Sequence, residues 1–580
     1  MKHLKYLNKF LWKHKTTLVL GLVFIFITNI FAIYPAEFVR HALDSLLEKL
    51  NDKDTNDISF LLIKYGSLIV LFAILKGVFL YLTRQTIIVM SRKIEYDLKN
   101  EVYNKYQKLS IEFYKKNKTG DLMNRITEDI TKVRMYLGPA IMYAINLSIL
   151  FSLITYKMFS VSTILTTYVL FPLPLLALSV YFVSNRINKK SEKVQAQLST
   201  ITAISQESFS GIRIIKSFTN EENSLRVFYQ SCKEYTKRQI ELIKIEAMFI
   251  PLIITLIGIS TVLTIYIGGL EVFKGNITTG NIAEFIIYVN MLAWPVASIG
   301  WVTSLVQRAA ASQERINEFL QTEEIISNTN NKNTSIIGKI EINDVSLIYS
   351  DTNIKALNKI NLTINKGEQI GIFGKTGSGK TSIVNLICRL YDVNDGEIKI
   401  DDQDIKSHNL NILRSSIGYV PQDGYLFSGT IKDNIGFSKD KIDESEIENA
   451  AKKAEILDEI NAFPNKFNTI IGEKGIQLSG GQRQRLAIAR VFYKNPQLYI
   501  FDDCLSAVDA NKEKKILNNL KKETRNKTTI IISHRISTIE KSDNIIVLDK
   551  GKIIEEGSHN QLLKNEKFYS QIHVNQTNNQ

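Results

Sequence analysis

Cysteine is scarce in this chain. There are three in 580 residues, Cys232, Cys388 and Cys504, far apart and without pair spacing. A disulfide framework or a Cys-ligated zinc site needs closely repeated pairs, so both fall, and a reducing, cytosolic setting fits. Acid is also in short supply. Against 72 Lys and Arg stand 58 Asp and Glu, a net charge of +14. A basic excess suits a nucleic-acid partner or a membrane face. Here the apolar residues are gathered into long runs, which selects the membrane and not nucleic acid. The length alone exceeds one ordinary domain.

Six apolar runs occupy the first half, at roughly 16–34, 60–82, 139–157, 160–184, 247–273 and 282–304. Each has about the ~20 residues that cross a hydrocarbon core as a helix. The basic N-terminus before the first run could mark a signal peptide, but five further runs point to an uncleaved, multi-pass protein. Lys2, Lys5, Lys9, Lys13 and Lys15 precede the first run, and the stretches 84–138 and 186–246 are dense in Lys and Arg. The connection after the first run is more acidic than basic. Positive residues stay inside, so both termini and both long loops are expected in the cytosol. Apolar residues recur at helical spacing in these loops, as in "YDLKNEVYNKYQKLS". They read as helices continuing past the membrane, ~25 residues descending ~37 Å, with short turns at their tips.

Lys64 and Lys76 fall inside the second run. Lys64 is expected to snorkel outward, and Lys76 to face water or a carbonyl. Pro172, Pro174, Pro251 and Pro295 interrupt later helices. The sixth run carries Phe285, Tyr288, Met291, Trp294 and Trp301, which suit helix packing or a hydrophobic substrate wall.

After the polar linker "TNNKNTS" the character changes to alternating strand-like and helical stretches, the pattern of an α/β domain. The expected organisation is an all-α six-helix membrane domain over 1–320, a linker over 321–338 and an α/β nucleotide-binding domain over 339–580. "GIFGKTGSGKTS" contains the phosphate loop Gly374, Lys375, Thr376, Gly377, Ser378, Gly379, Lys380, Thr381. Its backbone N–H groups cradle phosphate oxygens, Lys380 reaches the β- and γ-phosphates, and Thr381 holds Mg²⁺. "IFDD" is an apolar strand ending in Asp502, which would hold Mg²⁺ through water, and Asp503, near the attacking water. "LSGGQ" supplies a second anion-binding helix start at Ser479, Gly480, Gly481 and Gln482. One metal strand but two phosphate sites in one chain suggest that the second serves a nucleotide on another copy.

In this combination the sequence resembles the ATP-binding cassette transporters, specifically half-size exporters of the bacterial multidrug and lipid type, along essentially its whole length. "EFYKKNKTGDLMNRITEDI" and "ESFSGIRIIKSF" look like that family's two intracellular coupling regions. The resemblance implies adenine stacking for Tyr349, Mg²⁺ and coupling contacts for Gln422, and the loop before the signature for Glu473. It implies closure over a partner's ATP for Ser479, Gly481 and Gln482, the loop acid after the metal strand for Asp509, and a γ-phosphate contact for His534. It further implies a head-to-tail dimer with two sandwiched ATPs and alternating access in the cytoplasmic membrane. The cargo would be a hydrophobic or amphipathic small molecule, lipid or peptide. No peptidase-like segment precedes the first run, which counts against export coupled to peptide processing.

Asp503 departs from the family's usual glutamate. Losing one C–C bond of ~1.5 Å draws the carboxylate back from the water, and a ~1 Å misplacement costs on the order of 10²-fold in rate. A weakened site is therefore expected, with a different, glutamate-bearing half-transporter as partner; a homodimer is the alternative. Other readings are an importer or ATP-gated channel on the same scaffold, an ATPase-inactive regulatory half, or a cassette ATPase of DNA repair or translation, which the six membrane runs oppose.

Overall fold

A computed structural model describes residues 2–51, 58–328, 335–472 and 477–578. The linker positions 329–334, the acidic stretch 52–57 and Glu473 lie outside the described residues. The chain forms two compact units. One is Met1–Asn104 with Gly120–Thr322, the other Lys105–Thr119 with Glu323–Gln580.

The first unit holds six helices long and apolar enough to cross a membrane. These are α1 (Lys15–Lys49), α2 (Ile58–Lys108), α4 (Thr119–Val161), α5 (Thr163–Ser210), α7 (Glu221–Phe273) and α8 (Thr279–Leu320). Short helices join two pairs, α3 (Ile111–Lys116), which belongs to the second unit, and α6 (Ile212–Ser217). Five of the six expected runs fall within single helices, and the fourth, 160–184, crosses the break at Ser162 between α4 and α5. At 53 residues α7 is ~80 Å long, against a hydrocarbon core of ~30 Å. The excess is the helical extension that the basic loops predicted. Gly211 caps α5, and Gly120 falls in the first turn of α4. A π-turn at Tyr136–Ala140 contains Pro139, which cannot donate to the helical ladder.

Aromatic contacts bind α1 to α2. Phe72 meets Phe31, Tyr34 and Phe38 at ring separations of 5.5, 5.0 and 5.1 Å. Polar side chains inside the unit find one another, as burial in a low-dielectric medium demands. Asn29 donates to Asn146 at 2.9 Å. The Tyr288 hydroxyl donates to Glu284 at 2.9 Å, and Arg40 pairs with the same carboxylate at 3.3 Å, tying α1 to α8. The aromatics of α8 divide. Phe285 and Tyr288 are fully buried packing residues, while Trp294 and Trp301 remain 70% and 44% exposed. Lys64 and Lys76 are both exposed on α2, with the Lys64 ammonium 5.6 Å above the Tyr65 ring.

The second unit is built on two sheets. β1 (Ile340–Tyr349), β2 (Ile354–Ile364), β4 (Asp395–Ile400) and β5 (Gln403–Asp404) form an antiparallel sheet in the order β2-β1-β4-β5. The larger sheet runs β12-β11-β3-β10-β9-β6, from β3 (Gln369–Gly374), β6 (Ile417–Val420), β9 (Leu498–Asp502), β10 (Thr528–Ile532), β11 (Asn544–Asp549) and β12 (Lys552–Gly557). Every pair in it is parallel except β11 with β12. A two-stranded piece pairs β7 (Gly429–Thr430) with β8 (Ile470–Ile471). Strands covered on both faces read as unbroken apolar runs, and β9 and β10 are buried at every position. Successive side chains alternate sides. Leu498 and Ile500 pack with Ile383, Val384 and Ile387 of α9 (Lys380–Ile387). Tyr499 and Phe501 pack with Leu486, Ile488 and Val491 of α10 (Gly480–Lys494). Cys388 and Cys504 are buried in this unit, while Cys232 on α7 is partly exposed.

Candidate nucleotide-binding site

Three adjacent parallel strands bring the chemistry to one edge. Ile532 is in register with both Asp502 and Ile372. The residues just beyond β3, β10 and β9 therefore emerge together: the phosphate loop, His534, and Asp502 with Asp503. The crevice beyond the carboxyl ends of such strands is where open α/β sheets take ligands.

The loop curls because glycine occupies its left-handed positions, Gly377 at φ +78° and Gly379 at φ +103°. A Cβ at Gly379 would stand 2.6 Å from the Ala356 carbonyl oxygen. Lys380 is 6% exposed, and its ammonium donates to the carbonyls of Gly374 and Lys375, each at 2.8 Å. Burial lowers its pKa, while Asp502 and Asp503 act in the opposite direction. Ser378 holds a buried hydroxyl that lacks a hydrogen-bond partner among the described residues, and space is open around Gly377. An orphaned donor, an open cradle and the first turn of α9 suit a phosphate group.

Asp502 ends β9, 2% exposed, and hydrogen-bonds the Thr381 hydroxyl. Burial, with Asp503 adjacent, raises its pKa. A divalent cation at this pair would relieve the cost of that buried charge, so the donor set fits Mg²⁺. Tyr419 on β6 reaches the same carboxylate at 3.5 Å, a neighbour that no local motif announces. Asp503 adopts φ +45° and its N–H donates to the Ile532 carbonyl at 2.9 Å. Aspartate visits the left-handed region more readily than longer side chains. The short acid thus has a backbone reason to be there, and neither the fold nor the relatives described below bear out a weakened site.

The remaining expected residues are distributed around this edge. Tyr349 ends β1, and its hydroxyl lies 2.9 Å from Ser382 on α9. Its ring meets Tyr391 edge-on at 5.2 Å. Lys115 of α3 stands 4.7 Å above the Tyr349 ring, a neighbour too distant along the chain to be foreseen. Gln422 is exposed and lines a separate cavity of about 590 Å³ with Leu478, Gly480 and Ala507. His534 is partly exposed, and its carbonyl accepts from Gln576 at 2.8 Å.

Ser479 caps α10. Its hydroxyl accepts from the Gln482 N–H at 3.3 Å, and Gln482 accepts from the Ser479 N–H at 2.9 Å. This reciprocal cap contributes ~1 kcal/mol and leaves Ser479 exposed. Gln482 also donates to Glu459 at 3.0 Å, where Arg485 and Lys512 converge at 2.8 and 2.5 Å. Burial opposes ionisation of Glu459, but hydrogen bonds from Arg485, Lys512 and Gln482 outweigh it and bring the pKa down to about 2. Asp509 caps α11 (Ala510–Glu523) by accepting from the Lys512 N–H at 3.0 Å. Gln484 accepts from the Ala507 N–H at 3.0 Å, joining α10 to the loop after β9. Among the described residues, no hydrogen bond links Ser479–Gln482 to the phosphate loop.

Comparison with known proteins gives the same division of the chain. Residues 18–296 match the ABC transporter transmembrane region, and residues 357–506 match the ABC transporter family proper. The chain is 33% identical over 519 residues to the multidrug resistance-like ATP-binding protein MdlA of Buchnera aphidicola subsp. Schizaphis graminum, covering 89% of each chain. It is 35% identical over 472 residues to the probable multidrug resistance ABC transporter ATP-binding/permease protein YheI of Bacillus subtilis, covering 81% of this chain and 80% of that one. In fold it is similar to the solved structure of a bacterial Atm1-family ABC exporter with ATP bound, at a TM-score of 0.79 and 24% identity over 97% of this chain and 98% of that one. A phosphate loop and a buried metal-type carboxylate at one sheet edge, in a multi-pass membrane chain with these relatives, identify it as a member of the ABC transporter family, an exporter-type ATPase coupled to membrane transport.

Proposed function

We propose that the chain is one half of a dimer in the cytoplasmic membrane that exports, or flips between leaflets, a hydrophobic or amphipathic substrate. The observation that carries this reading is the edge where β3, β10 and β9 end, in a chain whose other unit has six membrane-length helices. The loop Gly374–Thr381 binds the phosphates, Lys380 leaving its two carbonyls for the β- and γ-oxygens. Thr381, Asp502 and Gln422 would hold Mg²⁺, which neutralises phosphate charge. Asp503 orients the attacking water, His534 contacts the γ-phosphate and Tyr349 packs on adenine. Ser479, exposed at the start of α10 and, among the described residues, without a hydrogen bond to its own phosphate loop, closes over the partner's ATP together with Gly480, Gly481 and Gln482. The density of Lys and Arg in the extensions supports a cytosolic location for both termini, with α3 and α6 as the coupling segments. Import and gating are not favoured, because the curated relatives carry multidrug-resistance names.

Inverted membrane vesicles test the reading. ATP should drive dye accumulation, and Lys380→Ala should abolish it without loss of the protein from the membrane. ATP-independent accumulation, or uptake insensitive to that substitution, would refute it. The partner is a second half-transporter, and whether it is a different chain, as the Asp503 departure suggested, is tested by co-purification from native membranes. Recovery of this chain with copies of itself alone would establish a homodimer.

A further inference from the structure

The membrane unit contains two adjoining cavities, about 610 and 250 Å³, which share Val180, Ser184, Asn188, Gly300 and Ser304. Their lining is unequal in charge. Arg308 is the one charged side chain among the described lining residues, and no carboxylate accompanies it. Among the described residues Arg308 has no ion-pair partner, whereas Arg40 and Arg315 on the same bundle are held by Glu284 and Asp129. Trp294, Trp301 and Arg308 follow one another at intervals of seven residues on α8, and all three line the larger cavity. Seven residues are two helical turns, so the guanidinium lies ~10 Å along the axis from Trp301. Tyr143 holds Trp301 edge-on at a ring separation of 5.4 Å. Ser184 and Asn188, one turn apart on α5, supply uncharged hydrogen-bonding groups.

We propose that this cavity binds an amphipathic anion: an aromatic or aliphatic body against Trp294 and Trp301, and a carboxylate, sulfonate or phosphate on Arg308. A guanidinium is permanently charged and presents a planar fork that matches such groups bidentately. The aromatic faces alone would also attract a lipophilic cation. An unpaired Arg308 ~10 Å away repels it, and at an effective dielectric of ~20 that separation discriminates by about ten-fold or more. The inference deepens the export reading by naming the substrate class, and it rests on that reading for its biological role. The binding preference stands or falls separately.

The test uses full-length protein in phosphatidylcholine nanodiscs on a Trp12→Phe background. The chain has three tryptophans, so quenching then reports Trp294 and Trp301. Pyrenebutyrate is compared with pyrenebutyl-trimethylammonium, which shares the aromatic body and reverses the charge. The anion should bind about ten-fold tighter or more. Arg308→Ala should abolish that preference, Arg308→Lys should retain most of it, and Arg308→Glu should invert it. Competition by phosphatidylglycerol added to the discs would identify the anion as a lipid headgroup, and its absence a soluble amphiphile. Equal binding of the two probes, or a preference surviving Arg308→Ala, would overturn the proposal while leaving export intact. Loss of all ATP-driven uptake in vesicles would overturn export while leaving the measured preference as it is.

Discussion

Replacing Glu459 with glutamine should weaken the nucleotide-binding unit in a pH-dependent way. Its carboxylate gathers Arg485, Lys512 and Gln482, and its pKa drops from an ordinary 4.5 to about 2. A depressed carboxylate pKa stabilises the folded state above the unfolded value, and that stability is lost as pH falls through the folded value. The window is therefore about pH 4.5 down to 2. Taken at face value the drop corresponds to ~3 kcal/mol. The side chain is 28% exposed, however, and solvent screening leaves about 1–2 kcal/mol. For a unit of this size that is a Tm lower by about 2–8 °C. Thermal unfolding of the detergent-solubilised protein, followed by intrinsic fluorescence, should show the full deficit of Glu459→Gln at pH 7 and a shrinking one below pH 4. An unchanged Tm at pH 7, or a deficit that persists undiminished at pH 3, would refute the electrostatic account.

Gly379→Ala should strain the phosphate loop by about 1–3 kcal/mol, because φ +103° is foreign to alanine and its Cβ would meet the Ala356 carbonyl; a fluorescent ATP analogue should bind at least ten-fold more weakly. Arg315→Ala should cost on the order of 2 kcal/mol, since Asp129 is 3% exposed and would keep, among the described residues, only the Ser312 hydroxyl, at 2.8 Å. Adding Asp129→Asn to Arg315→Ala should restore part of the lost Tm, because the residual buried charge is then gone.

The membrane helices were legible because a span must satisfy its own backbone and stay apolar for ~20 residues, which writes itself into contiguous sequence. The phosphate loop was legible for a similar reason: all its atoms come from eight consecutive residues. Tyr419, Glu459 and Lys115 were not. Each reaches its place through tertiary packing, Lys115 meeting Tyr349 from more than two hundred positions away. The α8 aromatics show the limit of a pattern. Phe285 and Trp301 share a helix and a residue class, yet one is core and the other wall, because that depends on what faces them. At Asp503 the expectation weighed side-chain length alone and missed the left-handed backbone, which favours a short acid.

The three dispersed cysteines give the chain a native reporter position. Burial raises the thiol pKa of Cys388 to about 12 and moves that of Cys504 upward too, so neither presents a thiolate to a reagent at neutral pH. Cys232, on the long extension of α7, is partly exposed. A polar maleimide applied to the folded protein should modify one site per chain, and three after denaturation. A spin label or fluorophore placed there without mutagenesis would sit on the extension of α7 beyond its apolar stretch. In a symmetric pair of chains, the distance between two such labels would follow those extensions through the transport cycle in the wild-type protein.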